Sequence, residues 1–436
     1  MLPSRASVVV AGGGPAGFMA AITAAEGGCR DLLVLEATPE PLHKVLISGG
    51  GRCNVTHACW DPRALVGHYP RGAKALRGPF SRFASGDAVA WFEARGLQLV
   101  EEDDGRLFPR SNRSRSVVDS LRQAAAAAGV RLVTGEALQR AELQPDGGYR
   151  LSLRSGATLA ADRLVLATGS HPSGYRLAAA LGHSLVPPLP SLFSLSLADH
   201  PLVALAGVAM DPVTLELLPF PDDPSPRPLR HCQTGPVLIT HRGLSGPATL
   251  RLTAFAARSL HQHGYRGELR VDWTGGLSGE AVAELFADTR RQHARRQLAN
   301  ARPWPGLSRR LWLHLLERHR IAPELRWADL GRRPEQALIA DLRGDHYRIR
   351  GRGPFGEEFV TAGGVNLGEV NMATMESRRS PGLHLVGELL DVDGVTGGFN
   401  FQHCWSSGWL AGTALSEYFQ TRRTSEDTSL AESNPR

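Results

Sequence analysis

Apolar residues near the start of the chain fall into two kinds of run. Ser7–Ala11 is short, β-branched and ends in glycines, which predicts a buried strand. Pro15–Glu26 is alanine-rich with apolar residues at helical spacing, which predicts a helix. Asp31–Glu36 predicts a second buried strand. Strand, glycine-rich turn, helix and strand within about thirty residues make a βαβ unit, because two parallel strands need a crossover of that length. Amphipathic helices follow at Ala88–Arg95 and Ser116–Ala128, and strands at Val130–Ala137, Tyr149–Leu153, Ala157–Leu159 and Arg163–Ala167.

The pattern changes at Val186–Ser191, where Pro187, Pro188 and Pro190 punctuate the chain. From there to about Arg270 it is strand-like, with a proline-rich loop at Pro219–Pro228. Ser278–Ile321 switches to helical periodicity with many arginines, and strand-like sequence returns at Ala337–Val360. From Thr361 the glycines return; His384–Gly387 predicts a strand and Gln402–Tyr418 a helix. The two ends therefore read as one nucleotide-binding domain in two segments, 1–190 and 361–422. A β-rich insertion at 191–360, with its helical part at about 278–321, interrupts it, and 423–436 is expected to be a flexible tail.

At 436 residues there is room for two or three domains. With 42% hydrophobic and 21% charged residues, collagen, coiled coil and wholesale disorder are excluded. No apolar run reaches the ~18–20 residues of a membrane span. The stretch Val8–Ile22 is broken by Gly12-Gly13-Gly14-Pro15, which a signal-peptide core tolerates badly. The expectation is a cytoplasmic protein that does not engage a membrane. The net charge of +6 is almost wholly arginine, since lysine occurs only at Lys44 and Lys74. That balance is compatible with a nucleic-acid or phosphate-bearing partner and does not require one. Five cysteines without a C-x-x-C pair argue against a zinc ribbon, a thioredoxin-type centre and a disulfide framework, and no metal site is expected.

The chemistry sits in the glycine-rich segments. Gly12-Gly13-Gly14-Pro15-Ala16-Gly17 fits G-x-G-x-x-G. Gly12 permits the tight turn, Gly14 lets the backbone approach a pyrophosphate, and Gly17 lets helix pack on strand. The helix that follows presents its free N–H groups to the phosphates. Glu36 closes the second strand 19 residues after Gly17, where an acid binds a ribose hydroxyl. A second element returns at the far end: Gly387-Glu388-Leu389-Leu390-Asp391, then Gly397-Gly398-Phe399-Asn400. A Gly-Glu strand end and an aspartate suit a ribityl chain and pyrophosphate, and the glycines let the last helix bring its positive end to a flavin. This favours FAD over NAD as the resident cofactor.

Four segments together resemble the YhiN-like flavoprotein family, also called BaiN-like or aminoacetone-oxidase-type. They are Lys44–Asn54 (KVLISGGGRCN), Thr240–Pro247 (THRGLSGP), Thr361–Val365 (TAGGV), and Thr374–Ser377 running on to Gly398 and Asn400. The resemblance spans residues 6–415. It implies an α/β fold: a Rossmann-type FAD-binding domain of the two-dinucleotide-binding flavoprotein type, interrupted by an inserted β-barrel-like domain with a small helical part. It also implies redox chemistry on FAD, some members being associated with NADH-dependent reduction of a carbon–carbon double bond, including uridine to dihydrouridine in ribosomal RNA. Two departures bear on substrate identity. After Ala167-Thr168-Gly169 the segment Ser170–Tyr175 is shorter than the family's loop, and His57 stands where asparagine is usual.

The expected cofactor residues are therefore Gly12, Gly14, Pro15, Ala16, Gly17, Glu36, Lys44, Gly49, Gly50, Gly51, Arg52, Asn54, Thr168, Gly169, Gly387, Glu388, Asp391, Gly397, Gly398 and Asn400. Gly49–Gly51 would turn backbone N–H groups toward flavin or phosphate, and Arg52 would add a cation. Cys53 is either a buried structural thiol or a proton donor beside the flavin. His241 is either a general acid or anion ligand, or the cap of the helix that follows. Arg106, Arg110, Arg113 and Arg115, with Arg290, Arg291, Arg295, Arg296, Arg309 and Arg310, are either ribosomal RNA contacts or solvated, locally paired faces. The expected function is an FAD-dependent oxidoreductase that takes hydride from transiently bound NADH or NADPH and passes it from flavin N5 to an unsaturated substrate. A ribosomal RNA dihydrouridine synthase, an oxygen-using small-amine oxidase and a non-catalytic flavin- or RNA-binding scaffold are the alternatives. The sequence gives no oligomeric state.

Overall fold

Val8, Val9 and Val10 are closed off from solvent in the first strand, β1 (Arg5–Ala11), because the sheet is covered on both faces. The protein is described from a computed structural model covering residues 2–145, 147–197, 200–220, 231–353 and 360–432, with side chains to Thr424. Two compact units emerge: Met1–Pro188 with Thr361–Arg436, and Leu189–Val360.

In the first unit β1 leads through helix α1 (Pro15–Glu26) to strand β2 (Leu32–Glu36). β1 pairs in parallel with β2 on one side and with Thr158–Leu166 on the other. Arg131–Thr134 extends the parallel sheet beyond β2. Leu383–Leu385 extends it beyond Leu164–Leu166, while the first half of that same strand pairs with the Leu138–Leu143/Tyr149–Leu153 hairpin. Five parallel strands joined by crossovers form the Rossmann-type sheet, and the outermost parallel strand comes from the far end of the sequence.

The last helix, Phe399–Glu432, lies directly on α1. Small residues make this approach close. A side chain on Gly408 would stand 2.5 Å from the Ala16 carbonyl oxygen, and one on Gly412 2.6 Å from that of Ala20. α1 answers with Ala16, Ala20 and Ala24 at four-residue spacing, all buried.

The second unit is a seven-stranded antiparallel sheet in the order Asp345–Ile349, Gly267–Asp272, Ala209–Leu217, His231–Thr240, Gly243–Ser245, Leu195–Ser196, Gly351–Arg352. Its two end strands are joined in the chain by Arg350 alone. A sheet whose edges are consecutive in sequence must curl round toward itself, which gives the barrel-like form. Helices Gly279–His293, Arg309–Arg318 and Arg332–Gly344 build the helical part. Trp312 and Trp327 stack at 6.1 Å between centroids against Phe286 in its core.

Several elements differ from the sequence expectation. Pro247–Phe255 and Ala257–Gln262 are helices inside the stretch expected to be strand-like, and Arg332–Gly344 is helical across the start of the expected Ala337–Val360 strand region. In each, apolar residues sit at helical spacing: Leu338 and Leu342 are fully buried, as are Ala248 and Leu252. The last helix begins at Phe399 and its backbone continues to Glu432, where a frayed tail was expected. Most of the proline-rich loop, residues 221–230, and the end of the tail, 433–436, lie outside the described residues. No helix among the described residues is long and apolar enough to cross a membrane.

The α1 contact makes a direct stability test. Gly412→Val would force a branched side chain against the Ala20 backbone. Overpacking of this kind costs about 1–3 kcal/mol and outweighs the small gain in helix propensity. We expect a lower urea midpoint for the Val variant than for wild type, read by far-UV circular dichroism.

Candidate functional site

The turn after β1 is built around one close approach. Gly12 has φ +119°, and its N–H donates to the Leu35 carbonyl at 2.8 Å. A Cβ there would lie 2.3 Å from the Ala167 carbonyl oxygen, and a Cβ on Gly17 would lie 2.1 Å from that of Gly12. Neither position admits another residue without moving backbone. Gly14 is different: a Cβ on it meets nothing within 4 Å. It is the N-cap of α1 without a side-chain cap, and Pro15 occupies the next position. The first N–H groups of the helix, on Ala16 and Gly17, are thus left for something outside the helix. Glu36 receives the Gly13 N–H on Oε2 at 2.9 Å, and the Thr38 N–H and hydroxyl on Oε1 at 2.8 and 2.7 Å. The carboxylate is fixed beside the turn and keeps lone-pair capacity for a hydroxyl.

Helix α2 (His43–Gly51) is tied to this turn by the Leu42 N–H, which donates to the Gly13 carbonyl at 2.8 Å. It breaks at Ser48, where ψ is 150°, and Gly49, Gly50 and Gly51 then take φ of 56°, 66° and 83°. Cβ atoms on Gly50 and Gly51 would meet nothing within 4 Å, so this glycine run also borders open space.

The next three residues are committed elsewhere. Arg52 pairs with Glu102 and Asn112, and its guanidinium lies 3.9 Å from the Phe108 ring centroid. The cation expected to face flavin or phosphate is already neutralised. Cys53 is 0% exposed, packed among Phe18, Val45 and Trp405, and burial pushes its thiol up to about 12. A thiol so placed stays protonated and closed off from solvent, which favours the buried structural thiol of the two roles considered for it. The Asn54 amide, oriented to suit its neighbours, receives the Gly398 N–H at 3.0 Å and donates to the Thr56 carbonyl at 2.8 Å. It joins the second glycine loop to the start of the last helix.

From the far end of the chain come the remaining residues. Lys44 Nζ donates to Glu388 Oε2 at 2.8 Å and to Ser170 Oγ at 3.4 Å, and Glu388 Oε1 accepts the Thr361 N–H at 3.1 Å. Gly169, φ 59°, sits against the same carboxylate. Thr168 Oγ1, beside it, is buried without a partner. Gly387 comes close to Ala16: a Cβ on it would be 2.9 Å from the Ala16 Cβ. Asp391 Oδ1 accepts the Gly363 N–H at 3.1 Å. Asn400 exchanges two hydrogen bonds with the Gly394 backbone, at 2.8 and 2.9 Å, and so closes the loop that carries Gly397 and Gly398.

Sequence reasoning missed the contacts that hold this loop down, among them those of Arg71, Tyr69 and Asp393. Arg71 and Asp393 form a buried ion pair bonded through two nitrogens, 8% and 0% exposed. The Tyr69 hydroxyl donates to the Phe399 carbonyl at 2.6 Å. His57, Phe399 and His68 stack in turn, with centroids 4.8 and 4.2 Å apart. His403 donates from Nε2 to the Gly387 carbonyl, and burial pulls its pKa down to about 4 while Nδ1 has no partner.

These observations fit an FAD. Two open glycine beds, an uncapped helix start, an anchored carboxylate and an unpartnered buried hydroxyl on Thr168 supply what a dinucleotide needs, and Gly12, Glu36 and Thr168 stand at the ends of three parallel strands. His241 belongs to the second unit, exposed in the turn between His231–Thr240 and Gly243–Ser245. It caps no helix: Gly246 stands at the N-cap of Pro247–Phe255. Of the ten arginines weighed as RNA contacts or locally paired faces, six are engaged within the chain. Arg106 pairs with Glu102 and Asp104, Arg115 with Glu40, Arg290 with Glu335, and Arg291 with Asp288. Arg110 binds Gln98, and Arg310 the Ala204 and Ala206 carbonyls. Among the described residues no group of three or more potential ligands stands ready for a metal, and all five cysteines are free.

The fold and this glycine-lined edge define a Rossmann-type nucleotide-binding protein. The chain belongs to the HI0933-like family: the family described as HI0933-like protein Rossmann domain matches residues 6–414, and its members are YhiN- and BaiN-type FAD-dependent oxidoreductases. The chain is 32% identical over 425 residues to a 3-dehydro-bile acid delta(4,6)-reductase of Clostridium scindens, covering 94% of this chain and 98% of that one. It is 30% identical to a ribosomal RNA dihydrouridine synthase of Escherichia coli at the same coverage. Among solved structures, 3-ketosteroid delta1-dehydrogenase of Sterolibacterium denitrificans matches with a TM-score of 0.51 at 12% identity, over 95% of this chain and 100% of that one, a likeness of fold.

Removing Arg71 would leave Asp393 as an uncompensated buried charge. Arg71→Ala is expected to destabilise the protein by about 3–5 kcal/mol. Replacing both partners with apolar residues, Arg71→Met with Asp393→Leu, should restore much of that loss. Denaturant titration of wild type, single and double variants checks it.

Proposed function

We propose that the chain is an FAD-dependent oxidoreductase that draws electrons from NADH or NADPH and saturates a carbon–carbon double bond in a small molecule. The observation that carries this reading is the pair of glycine beds, Gly14 at an uncapped helix start and Gly50–Gly51 after α2, both bordering open space. Bound FAD would supply hydride transfer at its N5 atom. The chain's own residues bind and orient it. The Ala16 and Gly17 N–H groups would donate to the pyrophosphate, Glu36 would accept from a ribose hydroxyl, and Glu388 and Asp391 would order the linking chain. The N-terminus of the last helix, freed by Gly397 and Gly398, would favour negative charge at the flavin.

Both relatives bear names that denote saturation of a carbon–carbon double bond, one in a steroid acid and one in an RNA base. The pairing of Arg106, Arg115, Arg290 and Arg291 with carboxylates favours the small molecule, since phosphate contacts need free cations.

An anaerobic visible spectrum before and after NADH and NADPH tests the reading. We expect bound-flavin absorbance that bleaches with one or both nicotinamides. Flavin that ignores both would remove the electron donor, and a protein that takes up no FAD would remove the cofactor. Gly14→Asp isolates the bed. The backbone there, φ −88° and ψ −176°, suits an aspartate N-cap, which stabilises a helix by about 0.5–2 kcal/mol. Its carboxylate would take the N–H groups meant for pyrophosphate and repel the phosphates. We expect an apo-protein at least as heat-stable as wild type that retains less than about a tenth of the flavin.

A further inference from the structure

We propose that the first unit carries a second binding site, a cavity for a small organic cation bearing several N–H donors. The cavity, about 310 Å³, lies between the strands Thr158–Leu166, Glu376–Ser377 and Leu383–Leu385 and the last helix. Arg163, Thr374, Glu376, His384, Glu417 and Tyr418 line it. None of these belongs to the glycine-lined edge.

His384 points to the ligand's chemistry. It is 3% exposed, with Nδ1 3.0 Å from the Thr374 carbonyl oxygen. A carbonyl can only accept, so the proton sits on Nδ1 and Nε2 keeps its lone pair. That lone pair has no partner among the described residues, and His384 lines the cavity. Burial holds the imidazole below its usual pKa, which keeps the acceptor available near neutrality. The cavity therefore asks for a donor.

The charged groups around it agree. Glu376 spends Oε1 on the Gly382 N–H at 2.8 Å and has Oε2 to offer, and the Glu417 carboxylate has no partner among the described residues. Arg163 is a wall: its guanidinium lies 3.6 Å from the Tyr418 ring centroid and donates to the Asp162 carbonyl. Two carboxylates against one engaged guanidinium leave the cavity negative. No trio of metal-ligating side chains is assembled among the described residues, so the cation is organic. The volume is at the small end of ligand sites, suited to a short amine or guanidine.

The test is isothermal titration calorimetry of the full-length protein with 1,4-diaminobutane and with agmatine, and with succinate as the anionic counterpart. We expect saturable one-to-one binding of at least one of the two cations and none of succinate. Glu417 is exposed on the last helix, so Glu417→Gln should fold as wild type by circular dichroism yet bind at least tenfold more weakly. Glu376→Gln should weaken binding in the same direction. No saturable heat with either amine to about 10 mM, equal affinity in the Glu417→Gln variant, or binding of succinate would each overturn the proposal. Flavin content of the same samples reports separately on the cofactor reading.

Discussion

The first and last helices pack at the distance glycine allows, and most of the first unit follows from that contact. Gly408 and Gly412 bring the last helix against Ala16 and Ala20, close enough that a single methyl group would meet a backbone carbonyl. The same contact sets the Gly387 turn against Ala16, at the start of α1. Residues almost four hundred positions apart in the chain thus form one edge. The insertion between them is possible because the helix pair and the parallel strand Leu383–Leu385 reunite the domain on their own.

The edge is mostly backbone. The cations near it are already paired: Arg52 with Glu102, Arg71 with Asp393, Lys44 with Glu388. What remains free are N–H groups on open glycines and at an uncapped helix start. Such donors are rigid, carry partial positive charge and need no counter-ion when empty. A nucleotide can therefore bind without rearranging the ion pairs that hold the loops. The buried Arg71–Asp393 pair serves that rigidity, since it fixes the strand-like approach of both residues ahead of Gly397.

Local chemistry made the sheet and the glycine turns readable. The βαβ unit, the discontinuous nucleotide-binding domain and the return of glycines after Thr361 follow from period, spacing and turn residues, which act over a few positions. Pro247–Gln262 and Arg332–Gly344 were misread because alternating short apolar runs fit both strand and helix until tertiary packing decides. Arg71, Tyr69 and the His57–Phe399–His68 stack were invisible for another reason. Their partners lie more than three hundred residues away, apart from the His57–His68 neighbours, and no local pattern encodes such a pairing. Arg52 and Cys53 were visible but ambiguous. Only burial and the position of Glu102 decide whether an arginine or a thiol faces a ligand or the core.

Sheet geometry separates the two chemistries of the first unit. Parallel strands deliver all their C-terminal ends to one side, which is why Gly12, Glu36, Thr168 and Gly387 arrive together from four strands. Farther back on two of those strands sit Arg163 and His384, roughly 10–13 Å along the chain from Ala167 and Gly387 at about 3.3 Å per residue. The front edge offers N–H donors and suits anions. The flank behind it offers a lone pair and two carboxylates and suits cations. Because both are anchored on the strands Thr158–Leu166 and Leu383–Leu385, neither can shift without moving the core of the sheet, where Leu164, Val165, Leu383 and Leu385 are fully buried. Their opposite electrostatics keep each from competing for the other's ligand.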